Sequence, residues 1–109
     1  FSAYAESLVD DIVLLNAAYS ICDQNPLGSA AGYGSSFPID RELTTKALGF
    51  NALKVNAVAA QMGRGKTERI TANAMGSLAA TLGRFSMDVC VYMSQNFDFI
   101  SFDKPLKAL

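Results

Sequence analysis

At 109 residues the chain has material for one small domain, and half of it is apolar, which excludes a disordered or collagen-like segment. A formal net charge of −1 gives no support to a general nucleic-acid or membrane-surface role. No apolar run reaches the roughly 18–20 residues that a membrane-spanning helix needs. Phe1 enters an amphipathic pattern directly, with no basic n-region, so no signal peptide is read; without an initiator Met, the true N-terminus is expected upstream.

Residues 2–23 predict a helix. Leu8, Ile12, Leu15, Tyr19 and Cys22 recur at heptad spacing, and Glu6, Asp10 and Asp11 sit in its first half, where the helix dipole favours negative charge. Pro26 is expected to end it. The run Asn25-Pro-Leu-Gly-Ser-Ala-Ala-Gly-Tyr-Gly-Ser-Ser-Phe-Pro38 is too rich in Gly, Pro and Ser for a regular element and predicts a long loop. Asp40 is a good N-cap for a short helix from Arg41 to about Leu48, with Gly49 as its C′ residue. Residues 51–62 stay ambiguous: Val55 and Val58 suit a short strand or one helical turn.

Gly63 and Gly65 break the chain. From Lys66 to Phe97 runs the longest predicted helix, roughly 45 Å at 1.5 Å per residue, with Met75, Leu78, Leu82, Phe85, Val89 and Tyr92 as its seam. Gly76, Ala79, Ala80 and Gly83 form a second stripe. Glycine inside a helix costs about 1 kcal/mol relative to Ala, which is best explained by another backbone lying close. The long helix is therefore expected to have neighbours on two sides, as in a bundle. Two such helices cannot be wrapped by so short a chain, which implies a fragment, an oligomer, or both. The fold class is all-α: a long-helix bundle fragment, residues 1–109 as one unit, with a Gly/Pro/Ser-rich loop and a short helix between two long helices.

Four groups of residues invite a chemical reading. Cys22 and Cys90 fall on apolar helix faces and are expected to be reduced, buried thiols; without a single His they make no zinc site. Gly63-Arg-Gly-Lys-Thr67 partly matches a phosphate loop, but Ala60 stands where the first glycine belongs and no second βα unit follows. The remaining readings of that turn are a solvated surface turn or a helix start at which Arg64 and Lys66 bind a carboxylate or phosphate. Tyr33-Gly-Ser-Ser-Phe37 carries exposed serines, yet no His is present to activate them. Gln95-Asn-Phe-Asp-Phe-Ile100 reads as a helix C-terminal cap with its aromatics packed back, or as a binding surface.

The block Pro26–Glu42, with Pro-Leu-Gly-Ser-Ala-Ala at its start and Phe-Pro-Ile-Asp-Arg-Glu at its end, closely resembles the argininosuccinate lyases of the aspartase/fumarase superfamily. Leu48-Gly-Phe50, Asn56, Asp88 and Ser94-Gln-Asn-Phe-Asp-Phe-Ile100 continue the resemblance, and Ala3-Tyr-Ala-Glu6 resembles the helix after the family's catalytic histidine segment. The resemblance implies a cytoplasmic homotetramer of arginine biosynthesis, assembled through long helices, with each active site drawn from three subunits. It implies cleavage of argininosuccinate to arginine and fumarate by β-elimination, through an aci-carboxylate, with no metal or organic cofactor. From the near-zero net charge, no nucleic-acid or membrane partner is expected. The family's Thr-His pair and mobile Gly-Ser-Ser loop fall outside these residues, so no catalytic residue is carried over and the segment alone is expected to be inactive. Arg64 matches an arginine of the family's Ser-Glu/Asp-Arg-Asp turn, but Gly65 replaces the acid, leaving Arg64 and Lys66 as candidate substrate-anion contacts. Alternatives are a sister lyase such as adenylosuccinate lyase, or a helical assembly module without activity.

Overall fold

A computed structural model describes residues 1–102, so residues 103–109 of the expected single unit lie outside the described residues. The architecture is all-α and elongated. Helix α1 spans Ser2–Cys22, α2 Arg41–Leu48, α3 Ala57–Met62 and α4 Lys66–Tyr92. Two dipeptides, β1 (Gln24–Asn25) and β2 (Ala52–Leu53), pair in parallel, Gln24 with Ala52 and Asn25 with Leu53. Residues 51–62, ambiguous by sequence, thus hold both a strand and a helix, whose N-cap Asn56 accepts from the Ala59 N–H at 2.9 Å. The radius of gyration is 22.0 Å, with extents of 72 × 25 × 23 Å, against about 13 Å for a compact domain of 100 residues.

Helices α1 and α4 form an antiparallel hairpin. The stripe of α1 that faces α4 is Tyr4, Leu8, Asp11, Leu15, Ala18 and Cys22, and the reciprocal stripe of α4 centres on Ala74, Leu78, Thr81, Phe85 and Asp88. This corrects the expected seams. Leu8, Leu15, Cys22, Leu78 and Phe85 belong to the contact, but Ile12, Tyr19, Met75 and Leu82 lie on uncovered faces. The reason is that polar residues occupy seam positions: Tyr4 donates a hydrogen bond to Asp88, Ser77 Oγ donates to Asp11 Oδ1 at 2.7 Å, and Cys22 Sγ contacts Thr71 Oγ1 at 3.4 Å. Between these layers Ala18 and Ala74, 4% and 1% exposed, let the helices approach most closely, and they are the only fully buried apolar residues among those described. Asp11 is 5% exposed, and its Oδ2 has no partner among the described residues.

Other expectations need adjusting. Helix α1 ends at Cys22, before Pro26, because residues 24–25 enter the strand pair. Helix α4 ends at Tyr92, five residues short of Phe97, where Asp98 takes a positive φ of 48° and the Phe99 N–H returns to the Tyr92 carbonyl at 2.9 Å. Tyr92, Phe97 and Phe99 then pack against one another, which is the capping reading of that segment. Cys90 is exposed, contrary to the expected burial, because it lies on the outer face of α4; Cys22 is half-buried and both thiols are free. Among the described residues, nothing beyond the helix's own backbone lies within 4 Å of a Cβ placed on Gly76 or Gly83, so the small-residue stripe is open there.

The region between the long helices is an ordered cap. Asn25 is fully buried. Its Nδ2 donates to the Thr44 and Thr45 hydroxyls at 3.1 and 2.9 Å, its Oδ1 accepts from the Leu27 N–H, and its carbonyl accepts from the Lys54 N–H. Arg41, the first residue of α2, donates from Nε to the Leu27 carbonyl at 2.9 Å, from Nη1 to Val55 at 3.0 Å and from Nη2 to Lys54 at 2.7 Å. Gly28 lies beneath the Arg41 stem: its φ is +75°, and a Cβ there would sit 2.9 Å from Arg41 Cγ. Gln61 on α3 clasps the loop tip, donating to the carbonyls of Ala30 and Gly32 and accepting from the Gly32 N–H. Asp40 caps α2 through the Leu43 N–H, and Gly49 closes it in the left-handed conformation, both as expected from sequence.

The three-carbonyl fork of Arg41 sets a stability prediction. Hydrogen bonds to a charged group each contribute about 1.5–3 kcal/mol, and truncation also leaves carbonyls unpaired. Arg41→Ala in the intact protein is expected to lower the unfolding free energy by about 2–4 kcal/mol, with Arg41→Lys recovering only part, because a single ammonium cannot span the fork. Urea denaturation measures both; midpoints equal to the parent's would show that the fork does not hold the cap.

Candidate functional site

The turn between α3 and α4 is short because its glycines reverse the chain. Gly63 closes α3 in right-handed geometry, and Gly65 precedes α4 with φ +78°. The Lys66 N–H bonds the Gly63 carbonyl at 3.0 Å and the Arg69 N–H bonds Gly65 at 3.2 Å. The phosphate-loop alternative drops out here. Residues 57–62 are helix rather than strand, so Gly63–Lys66 is a turn between two helices.

Arg64 lines a cavity of about 380 Å³ where the end of α1, the cap and the start of α4 meet. Its wall also holds Cys22, Gln24, Phe50, Lys54 and Glu68. Lys66 is exposed and lies outside this wall. The structure therefore puts one of the two sequence-selected cations in the cavity and adds Lys54, which sequence reasoning missed. No sequence motif marks Lys54; its place is set by tertiary bonds, its N–H donating to the Asn25 carbonyl and its carbonyl accepting from Arg41 Nη2.

The start of α4 is already served by an anion of its own. Glu68 is held below its usual carboxylate range, first by its own backbone N–H, then by the Thr67 hydroxyl, the Gly65 N–H and the charge of Arg64, with desolvation opposing. Thr67 Oγ1 donates to Glu68 Oε2 at 3.0 Å. Unpaired N–H groups and the dipole at a helix start favour such a carboxylate.

A second, open groove of about 570 Å³ lies between α1 and α4 at the opposite end of the hairpin, with Tyr4, Ser7, Ser77, Thr81, Arg84 and Asp88 in its wall. The Tyr4 phenol is raised above its ordinary value, first by its hydrogen bond to Asp88 and then by desolvation. Its ring stacks edge-on against Phe85, with centroids 5.1 Å apart. On the cap, Tyr33 is 96% exposed, and the Ser35 hydroxyl accepts from the Phe37 N–H, so this serine is a turn residue with no base beside it. Among the described residues no cluster of three or more His, Cys, Asp or Glu is placed to hold a metal ion, and no helix is long and apolar enough to cross a membrane.

These features define an all-α segment of long paired helices whose outer faces are uncovered, carrying an ordered cap with a basic cavity. The chain is homologous to argininosuccinate lyases. It is 63% identical over 100 residues to the argininosuccinate lyase of Parabacteroides distasonis and 59% identical to that of Phocaeicola vulgatus, in each case over 92% of this chain and 22% of the relative. The enzyme of that name from Xylella fastidiosa is 42% identical over 93% of this chain and 23% of its own length. The chain thus spans about a fifth of the length of the curated relatives it matches. No family model and no solved structure matches it.

The Glu68 geometry carries a pH prediction. A carboxyl whose folded-state value is lowered contributes stability above its unfolded value, and that contribution is lost as pH falls through the folded value. In the intact protein, the stability difference between parent and Glu68→Gln is expected to be present at neutral pH and to vanish as pH falls through the lowered folded-state value of Glu68. Chemical denaturation at stepped pH reads it; a difference that persists unchanged at pH 2 would separate Glu68 from the capping role.

Proposed function

We propose that this chain is a segment of an enzyme that cleaves argininosuccinate to arginine and fumarate, a carbon–nitrogen lyase acting by β-elimination. The observation that carries the reading is the 63% identity over 92% of the chain to a protein of that name. In such a reaction a base takes the proton beside a carboxylate, negative charge builds on that carboxylate as an aci-form, and the guanidinium nitrogen leaves with its proton supplied by an acid. Fixed cations and N–H donors aimed at the developing charge are the principal means of lowering that barrier. Arg64 and Lys66, at the turn before α4, are the residues here to contact or steady an anionic group of the substrate. The general base and acid come from elsewhere in the assembled enzyme, since this segment carries no histidine and its Ser35 is a turn residue that accepts from the Phe37 N–H.

The assembled enzyme is a cytoplasmic homotetramer built through the long helices. The support for assembly is energetic: Ile12, Tyr19, Met75 and Leu82 are 54, 66, 59 and 43% exposed, and burying a large apolar side chain is worth roughly 1.5–3 kcal/mol. A second reading, an assembly module without activity, rests on the same uncovered faces.

Fumarate release followed by ultraviolet absorbance tests the activity. The full-length protein carrying this segment is expected to release fumarate from argininosuccinate and not from adenylosuccinate, and the 109-residue piece alone to release none; activity that scales with the purified piece, or a full-length protein acting only on adenylosuccinate, overturns the reading. Arg64→Ala is expected to lower kcat/KM by about tenfold or more, near 1.4 kcal/mol of transition-state stabilisation. Leu82→Asp is expected to dissociate the full-length assembly in sedimentation velocity; an unchanged oligomer would remove that face of α4 from the interface.

A further inference from the structure

The cavity at the cap end draws its walls from five stretches of chain, and its two cations come from different ones. Lys54 follows β2 and Arg64 sits in the turn between α3 and α4. Resting on the reading of Arg64 as an anion contact, we propose that Lys54 and Arg64 together bind a small anion with at least two acceptor oxygens, of the carboxylate or phosphate class.

Three features carry this beyond a pair of surface charges. First, Lys54 is half-buried and its backbone is fixed on both sides, by the Asn25 carbonyl on its N–H at 3.0 Å and by Arg41 Nη2 on its carbonyl at 2.7 Å. The backbone that carries the ammonium is thus already ordered before an anion binds. Second, among the described residues Glu68 is the only acidic residue in the wall, and its carboxylate is engaged by the N–H groups of its own helix start and by the Thr67 hydroxyl. It blocks the helix terminus as an anion seat and leaves the two cations in excess by one charge. Third, the space, about 380 Å³, falls at the small end of the roughly 300–1,000 Å³ typical of ligand pockets. Gln24 adds a carboxamide, while Phe50 and Cys22 make the wall partly apolar. An arginine fork engages two oxygens at once and a lysine supplies a compact charge, so the pair suits a carboxylate or phosphate over a halide.

Calorimetric titration of the full-length protein with inorganic phosphate and, separately, with succinate tests the site. The expected result is binding that weakens at least tenfold in Lys54→Met and in Arg64→Met, survives in Lys54→Arg, and is unchanged in Lys46→Met, a basic residue of α2 outside the wall. Weakening confined to the phosphate titration assigns the site to phosphate; weakening confined to succinate assigns it to a carboxylate ligand. The occupying anion is also expected to slow iodoacetamide alkylation of Cys22, read by peptide mass spectrometry, and Lys54→Met to abolish that protection. Lys54→Met that binds both anions as tightly as the parent overturns the proposal, even if Arg64→Met loses turnover, an outcome that leaves the proposed function standing. Loss of anion binding in both variants with unchanged kcat/KM for argininosuccinate confirms the site and removes Arg64 from substrate contact instead.

Discussion

The Arg41 guanidinium holds three carbonyls from two segments of the cap. Leu27 belongs to the loop after α1, and Lys54 and Val55 follow β2. A loop rich in glycine and proline loses much conformational freedom on ordering, and short backbone pairings such as β1–β2 cannot offset that alone. The fork converts the loop into a fixed cap. The buried Asn25 side chain completes it by donating to Thr44 and Thr45, whose hydroxyls donate in turn to the Arg41 carbonyl at 2.9 and 2.7 Å. Main chain and side chain of one arginine thus anchor both ends of the network. The position of Lys54 is a by-product of that anchoring.

The same network explains what could be read in the sequence. Local signals were legible because their physics is local. Asp40 and Gly49 bound α2 because a carboxylate three residues ahead and a left-handed glycine behind act within one turn. The loop was legible from its composition, but its rigidity was not, since Arg41, Asn25 and Gln61 act across 13 to 31 residues. The seam of α1 and α4 was half legible. A search for apolar residues at heptad spacing finds Leu8, Leu15, Leu78 and Phe85, then drifts onto Ile12, Tyr19, Met75 and Leu82, because it passes over Tyr4, Asp11, Ser77 and Asp88. Those four carry the register as polar pairs that no periodicity of apolar residues reveals. At the site, Arg64 stood out between two glycines, whereas Lys54 has no motif of its own and is placed only by tertiary hydrogen bonds.

Polar pairs in the hairpin and apolar residues outside it are two aspects of one arrangement. Within a single chain only Ala18 and Ala74 are buried apolar residues among those described, too little hydrophobic burial to hold two long helices together in water. The inner contact is built for register: Tyr4 with Asp88 at one end, Asp11 with Ser77 in the middle, and Cys22 with Thr71 at the other. An antiparallel pair that slid by one turn would break all three contacts and leave the buried Asp11 carboxylate without its Ser77 donor. The large apolar side chains Ile12, Tyr19, Met75 and Leu82 lie on the outer faces. Gly76 and Gly83, with open space where their side chains would be, fit the same division: they keep one outer face of α4 shallow enough for another helix to approach its backbone.

The turn before α4 sets one carboxylate beside the cations of the cavity. A side chain at Gly65 would have to adopt φ +78°, which is unfavourable for residues other than glycine, asparagine and aspartate. With glycine there, the helix start has no N-cap side chain, and Glu68 supplies the carboxylate from within the first turn instead. That choice has an electrostatic consequence for Arg64. Glu68 is drawn back onto the N–H groups of α4 and the Thr67 hydroxyl, so its charge is shared among several donors before it reaches the guanidinium. The carboxylate stabilises the helix start, and the arginine keeps its capacity to engage an anion in the cavity it shares with Lys54.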